Sequence, residues 1–160
     1  GCGRPVGRVG HNGPLMLRLA ILAAALIGAL TLVVAEFLTL WEVVVITVVK
    51  DSATGGEHHL FALALVGVAA AVMAFGAIRG GSRPAGWALL ALALAAVFVI
   101  GAVDLPDVNE EGFIGVAFED ARARPRAGFY AETVGGALLL LAAVANLVLL
   151  RPEESHTAPA

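Results

Sequence analysis

The chain has 160 residues, of which 59% are hydrophobic and only 14% charged, with a formal net charge of −3; the mean hydropathy is +0.90. Soluble domains run at about 45–50% apolar and about 25% charged residues, so an ordinary soluble domain is excluded, and the length is too short for two. The absence of a Lys/Arg tract argues against a nucleic-acid-binding face, and the single cysteine, Cys2, excludes an internal disulfide and a CxxC metal pattern.

Residues 1–14 are rich in Gly and Arg and read as a disordered leader. Met16 sits directly before the first apolar run, which makes it a candidate natural start and the leader a candidate non-native piece. The run itself is too long for a signal-peptide core and has no A-x-A site, so it is expected to persist as a helix.

A helix crossing the hydrocarbon core needs about 20 mostly apolar residues. Four segments meet this, over about 15–38, 60–79, 85–103 and 128–150. The expected fold class is an all-α membrane protein, a four-helix transmembrane bundle within residues 15–151. Leu, Ala, Val and Gly dominate these segments, which suits helices packed through small side chains.

Beyond the first span, one helix running from Leu15 to Val49 would be about 52 Å long, well over a core of about 30 Å. Val43 to Val49 is β-branched, and such residues favour strands. Between a strand and a helix extension over 40–49, the strand is therefore favoured. Its expected partner is Phe113 to Phe118 in loop 3. Loops 1 and 3 would thus build a small outer β element resting on the helix ends, since a lone two-stranded ribbon is marginal in water.

Ser82-Arg83-Pro84 opens the third span, and Asp104-Leu105-Pro106-Asp107 is expected to end it sharply because proline removes a donor. Arg124-Pro125 precedes the fourth span, Arg151-Pro152 closes it, and 152–160 read as a disordered tail. Phe61 precedes Gly67 by six residues, as Phe129 precedes Gly135, the trace of a duplicated helix–loop–helix unit or of chance in Ala/Gly-rich helices.

An even number of spans places both termini on one side. Arg4, Arg8, Arg18, Arg79, Arg83 and Arg151 share that side, against Lys50, Arg122, Arg124 and Arg126 on the other. Arg79 and Arg83 lie in a very short turn, where basic residues count most, so the termini are expected in the cytoplasm and the protein in the cytoplasmic membrane.

Gly28, Gly67, Gly76, Gly101, Gly135 and Gly136 fall within spans and are read as helix-packing positions. Trp41, Trp87, Phe129 and Tyr130 fall at the span ends, where aromatic residues anchor a helix in the interface. Arg122-Ala123-Arg124-Pro125-Arg126 forms an outer basic patch, with Asp104, Asp107, Glu110 and Glu111 as candidate partners and lipid headgroups as the other option.

The ionisable residues carry more chemistry. Glu36 ends span one, His58 and His59 precede span two, Asp104 follows span three, and Glu132 lies about one turn into span four. All four helices bring an acid or a histidine to one level. The plainest reading leaves these groups solvated among headgroups or pairing with one another; the sharper ones are an ion or proton relay and a divalent metal site. HExxH, CxxC, phosphate loops and nucleophile elbows are all missing, so no catalytic residue, cofactor or metal motif is assigned and an enzyme is disfavoured.

Four spans, a first outer loop carrying Trp41 in a strand-like run, a short inner turn and a structured second outer loop together resemble the claudin-type tetraspan layout. The composition also resembles small four-span membrane proteins of high-GC bacteria. The likeness covers most of the chain at the level of topology, and the cysteine pair of the claudin first loop is not present. The expected role is a non-enzymatic accessory or scaffold protein. Its expected partners are the bilayer and, through the outer loops, a second copy or another membrane protein. A small transporter or proton-conducting subunit using the Glu/His cluster is one alternative; a membrane metal-binding protein or enzyme is the other.

Overall fold

The computed structural model describes residues 13–45, 47–109, 111–114 and 118–150. The tail over 152–160 and all but the last two residues of the leader lie outside them.

Four helical segments are long and apolar enough to cross a membrane: Leu15–Ala35, Ala62–Arg79, Arg83–Asp107 and Ala127–Leu149. Helix α1 is Gly13–Ala35, and a short helix α2, Gly55–His59, precedes α3, Ala62–Ala74. Helix α3 runs on through a π turn, Phe75–Arg79; α4, Arg83–Val99, runs on through a second π turn, Ile100–Asp104, into α5, Leu105–Asp107; α6 is Ala127–Leu149. The first span therefore stops at Ala35, three residues short of the expected 38, because Phe37 and Leu38 turn back onto Val34 and Ala35.

Helices α1 and α4 sit on opposite corners, each packed against both α3 and α6. Alanine fills much of the buried centre, with Ala25, Ala29, Ala70, Ala93, Ala96 and Ala143 among Leu32, Leu63, Leu89 and Leu139. Without hydrophobic drive inside lipid, such helices associate through close packing of small side chains. A reciprocal example joins α1 and α6: a Cβ on Gly28 would stand 2.8 Å from the Gly135 carbonyl oxygen, and one on Gly135 would stand 3.0 Å from that of Gly28. Gly67 meets the Ala29 carbonyl in the same way, while Gly76 and Gly136 touch side chains of Ala85 and Ile100. Gly101 departs from the packing expectation: a Cβ there would meet nothing within 4 Å, because it lies on the outward side of a π turn.

That π turn also corrects the expected sharp stop at Pro106. The helix continues to Asp107. Proline lacks the N–H and crowds the carbonyl four residues back; the wider π turn just before it relieves that clash without ending the helix.

A four-stranded antiparallel sheet caps one end of the bundle, in the order β2-β1-β4-β3. Its strands are β1 Thr39–Val45, β2 Val48–Thr54, β3 Glu111–Ile114 and β4 Phe118–Pro125. The expected single strand over Val43–Val49 is instead a hairpin that turns at Thr47, with Val45 paired to Val48. The partner of β1 in the other loop is β4, from Trp41↔Pro125 to Val45↔Ala121; of the expected segment Phe113–Phe118, residues 115–117 lie outside the described residues, Phe113 and Ile114 belong to β3, which pairs with β4, and Phe118 begins β4. The expected basic loop patch is thus a strand. Arg122 and Arg124 are exposed while Ala121 is buried and Ala123 half-buried, the two-residue alternation of a half-buried strand. β1 turns Leu40 and Val43 inward onto the bundle.

Candidate functional site

Beneath the sheet, the chain leaves α1 at Ala35, and Glu36 folds inward until only 1% of it is exposed. Its Oε1 accepts hydrogen bonds from the backbone N–H groups of Leu63 at 2.8 Å and Ala64 at 3.2 Å. The first N–H groups of a helix have no partner within it, and Phe61 at the start of α3 supplies no side-chain cap. A carboxylate from α1 therefore caps α3 across the bundle, where the positive helix end favours it.

Helix α2 lies over the end of α1. Gly56 N–H donates to the Glu36 carbonyl at 2.7 Å and Gly55 N–H to that of Leu38 at 3.2 Å. Thr54 and Glu57 form a capping box at its start, a reciprocal arrangement that satisfies two orphan donors; these bonds from Thr54 hold the Glu57 carboxyl below its ordinary range. Only glycine fits the first position, since a Cβ on Gly55 would lie 2.9 Å from Glu132 Oε1 and 3.0 Å from the Glu36 Cα. The chain leaves α2 through two consecutive left-handed residues, Leu60 at φ 53° and Phe61 at φ 61°, which turn it sharply into α3.

This local geometry delivers two imidazoles to acids of two spans. His59 Nε2 stands 3.0 Å from Asp104 Oδ1 and 3.9 Å from Glu132 Oε1. His58 Nε2 stands 3.2 Å from Asp107 Oδ2 and 3.8 Å from Asp104 Oδ1. Asp104 and Glu132 are fully buried; side-chain exposure climbs from 6% at His59 to 22% at His58 and 43% at Asp107, a graded opening toward water. Donor atoms of His58, His59 and Asp104 all lie within 4.8 Å of one another, close enough to hold a metal ion.

Burial works against charge on His59, but the neighbouring carboxylates of Asp104, Glu132 and Glu36 outweigh it and hold the pKa above the usual 6.5. Among the described residues, the buried side-chain N and O atoms that lack a hydrogen-bond partner are concentrated here: apart from Trp41 Nε1, all belong to Glu36, His58, His59, Asp104 and Glu132. Such atoms cost about 1–3 kcal/mol each when left unpaired, and native proteins hold few.

All five ionisable residues singled out from the sequence thus lie around one level of the bundle. Histidine, not Arg126, is the group near Glu132; Arg126 pairs with Glu42, and Arg122 with Glu111 at 3.7 Å. Asp104 and Asp107, expected as partners of the basic patch, face His58 and His59 instead.

Sequence reasoning missed Asp107 as a fourth acid, Gly55 as the wall behind Glu132, and the π turn that buries Asp104 while Gly101, Ala102 and Val103 stay exposed. The available signals were Pro106 just past Asp104 and the Gly55-Gly56 pair just before the histidines. Of the aromatic anchors, Trp87 and Tyr130 are exposed, Phe129 packs on the core, and Trp41 buries its Nε1. The exposed Phe37–Phe61 pair, with ring centroids 5.6 Å apart, is a further apolar contact at the sheet end.

The chain matches no protein-family model, no curated protein and no solved structure.

Proposed function

We propose that this is a multi-pass protein of the cytoplasmic membrane, with cytoplasmic termini, that binds a divalent first-row metal ion under its outer sheet. The single observation that carries the reading is the convergence of His58, His59, Asp104 and Glu132 with their buried donor atoms unpaired. Imidazole and carboxylate together suit zinc and its neighbours. Ligand atoms around a tetrahedral zinc stand about 3.3 Å apart, and the His59–Asp104 and His59–Glu132 separations of 3.0 and 3.9 Å bracket that value. Charge favours a cation as well. The cluster sets carboxylates against imidazoles, and no described Lys or Arg pairs with Glu36, Asp104 or Glu132.

Below the cluster the core is Leu and Ala, without the ionisable midplane groups from which conduction paths are built. Binding from the outer side, through Asp107 and His58, therefore fits better than transport.

The test is metal content of the full chain in detergent, stripped with a chelator and reloaded separately with Zn²⁺, Mn²⁺, Fe²⁺ or Co²⁺. One equivalent is expected for at least one ion, lost in His59→Ala and Asp104→Asn and kept in Lys50→Gln. Failure of all four ions to bind stoichiometrically to the wild type discards the reading.

The accessory or scaffold reading is supported by a different feature. β2 is the outer strand of the sheet, and Val48 and Val49 on it are half-exposed; such an edge invites strand addition by a partner. Cysteine cross-linking at Val48 in native membranes tests it: a specific adduct supports a partner, and monomer alone removes this support.

A further inference from the structure

At the end of the bundle away from the sheet, a cleft of about 960 Å³ opens between the helices, within the range of small-molecule sites. Arg18 from α1 and Arg83 at the start of α4 both line it. Neither has an acidic ion-pair partner among the described residues. Two guanidiniums without a described acidic partner at one mouth favour a dianionic or monoanionic oxygen cluster, which arginine binds through planar, bidentate hydrogen bonds.

A second observation lies deeper. Asn146 also lines the cleft and is only 8% exposed, while none of the described side-chain hydrogen bonds involves its amide. Its Nδ2 faces Gly86, where a Cβ would come within 2.9 Å. The missing side chain at Gly86 leaves room beside the amide, which is reachable from the cleft and can donate to an acceptor oxygen entering from the arginine side. The rest of the lining is apolar, including Leu90, Leu147 and Val148.

Cationic mouth, polar throat and apolar wall describe an amphiphile with an anionic oxygen head. The place supports the same identity. The cleft lies at the ends of the four apolar spans, beside the exposed Trp87, where tryptophan marks the membrane interface. Basic pockets between membrane helices at this level take phospholipid headgroups. We infer that this cleft is a binding site for an anionic phospholipid, with its phosphate between Arg18 and Arg83 and one acyl chain along the α4–α6 wall. The site is independent of the metal cluster at the other end.

The chain has two tryptophans, so Trp41→Phe leaves Trp87, itself part of the lining, as the only reporter. This variant of the full chain is titrated in detergent micelles with phosphatidylglycerol or phosphatidylcholine, each brominated on its acyl chains. Saturable quenching of Trp87 is expected at a mole fraction at least fivefold lower for phosphatidylglycerol. Arg18→Gln/Arg83→Gln should abolish the difference, and Arg18→Lys/Arg83→Lys, which controls for folding, should retain at least part of it. Equal quenching by both lipids overturns the inference and reduces the arginines to ordinary interfacial residues. Relief of the quenching by millimolar inorganic phosphate also overturns it, by showing a site for a free anion in place of a lipid.

Discussion

His59 Nε2 lies 3.0 Å from Asp104 Oδ1, yet both atoms count among the buried atoms without a hydrogen-bond partner. A proton shared by this pair and a metal ion held between them would compete for the same atoms, and the two respond oppositely to pH.

In the metal-free protein, the raised pKa of His59 means that the fold favours the charged imidazole. This contribution is complete below the ordinary value of 6.5 and is lost as pH rises through the higher folded-state value. A metal requires the neutral ring and competes with the proton. The thermal midpoint of stripped protein should therefore fall on going from mildly acidic to mildly alkaline buffer, while the shift caused by added metal should grow. Parallel pH profiles with and without metal would contradict the ligand role of His59.

Gly55→Ala tests the wall behind Glu132. The added methyl carbon would stand 2.9 Å from Oε1 and 3.0 Å from the Glu36 Cα, so the carboxylate must move and α2 must lift slightly from the end of α1. Metal affinity should drop by about tenfold, as for other groups that orient ligands, with the helical circular dichroism unchanged. Competition against a chromophoric chelator gives the number.

Gly28 and Gly101 form a matched pair of span glycines with opposite surroundings. Gly28→Ala drives a methyl into the Gly135 carbonyl at 2.8 Å and should destabilise the bundle by about 1–3 kcal/mol. Gly101→Ala enters open space and should be neutral or stabilising by up to about 1 kcal/mol, since alanine is the better helix former. Equilibrium unfolding in mixed micelles distinguishes them; equal effects would mean that α1 and α6 are not in backbone contact.

Leu60 holds a left-handed conformation at φ 53° while 84% exposed, so it gives up little packing if shortened. Leu60→Gly should stabilise the fold by about 0.5–1 kcal/mol through relief of that strain. If the strained link positions the histidines, the same change lowers metal affinity. A calorimetric midpoint and a metal titration on one sample read both.

The four long apolar segments were legible because lipid demands an unbroken run, and a run of about 20 apolar residues has few other uses. The level of Glu36, His58, His59, Asp104 and Glu132 followed from those boundaries alone. Their convergence did not, since residues at one height can still point to different sides. Sidedness was set by features with weak sequence signals: the π turn ending at Asp104, the Gly55-Gly56 contact with the α1 end, and the left-handed pair at Leu60 and Phe61. β4 was hidden for another reason. Ala121-Arg122-Ala123-Arg124 alternates as a strand does, but alanine and arginine are poor strand formers, and neighbouring β1 supplies the reason to pair.

The sheet places an order on biogenesis. β1, made just after the first span, pairs with β4, which precedes the last span, and Glu132 lies in that last span. Until β4 and the segment carrying Glu132 have been made, β1 has only its hairpin neighbour β2 and the acidic cluster lacks Glu132. Closure of the sheet and completion of the acidic cluster are therefore one late event. A protein stalled before β4 would carry an open strand edge on β1, the kind of edge that templates wrong pairings.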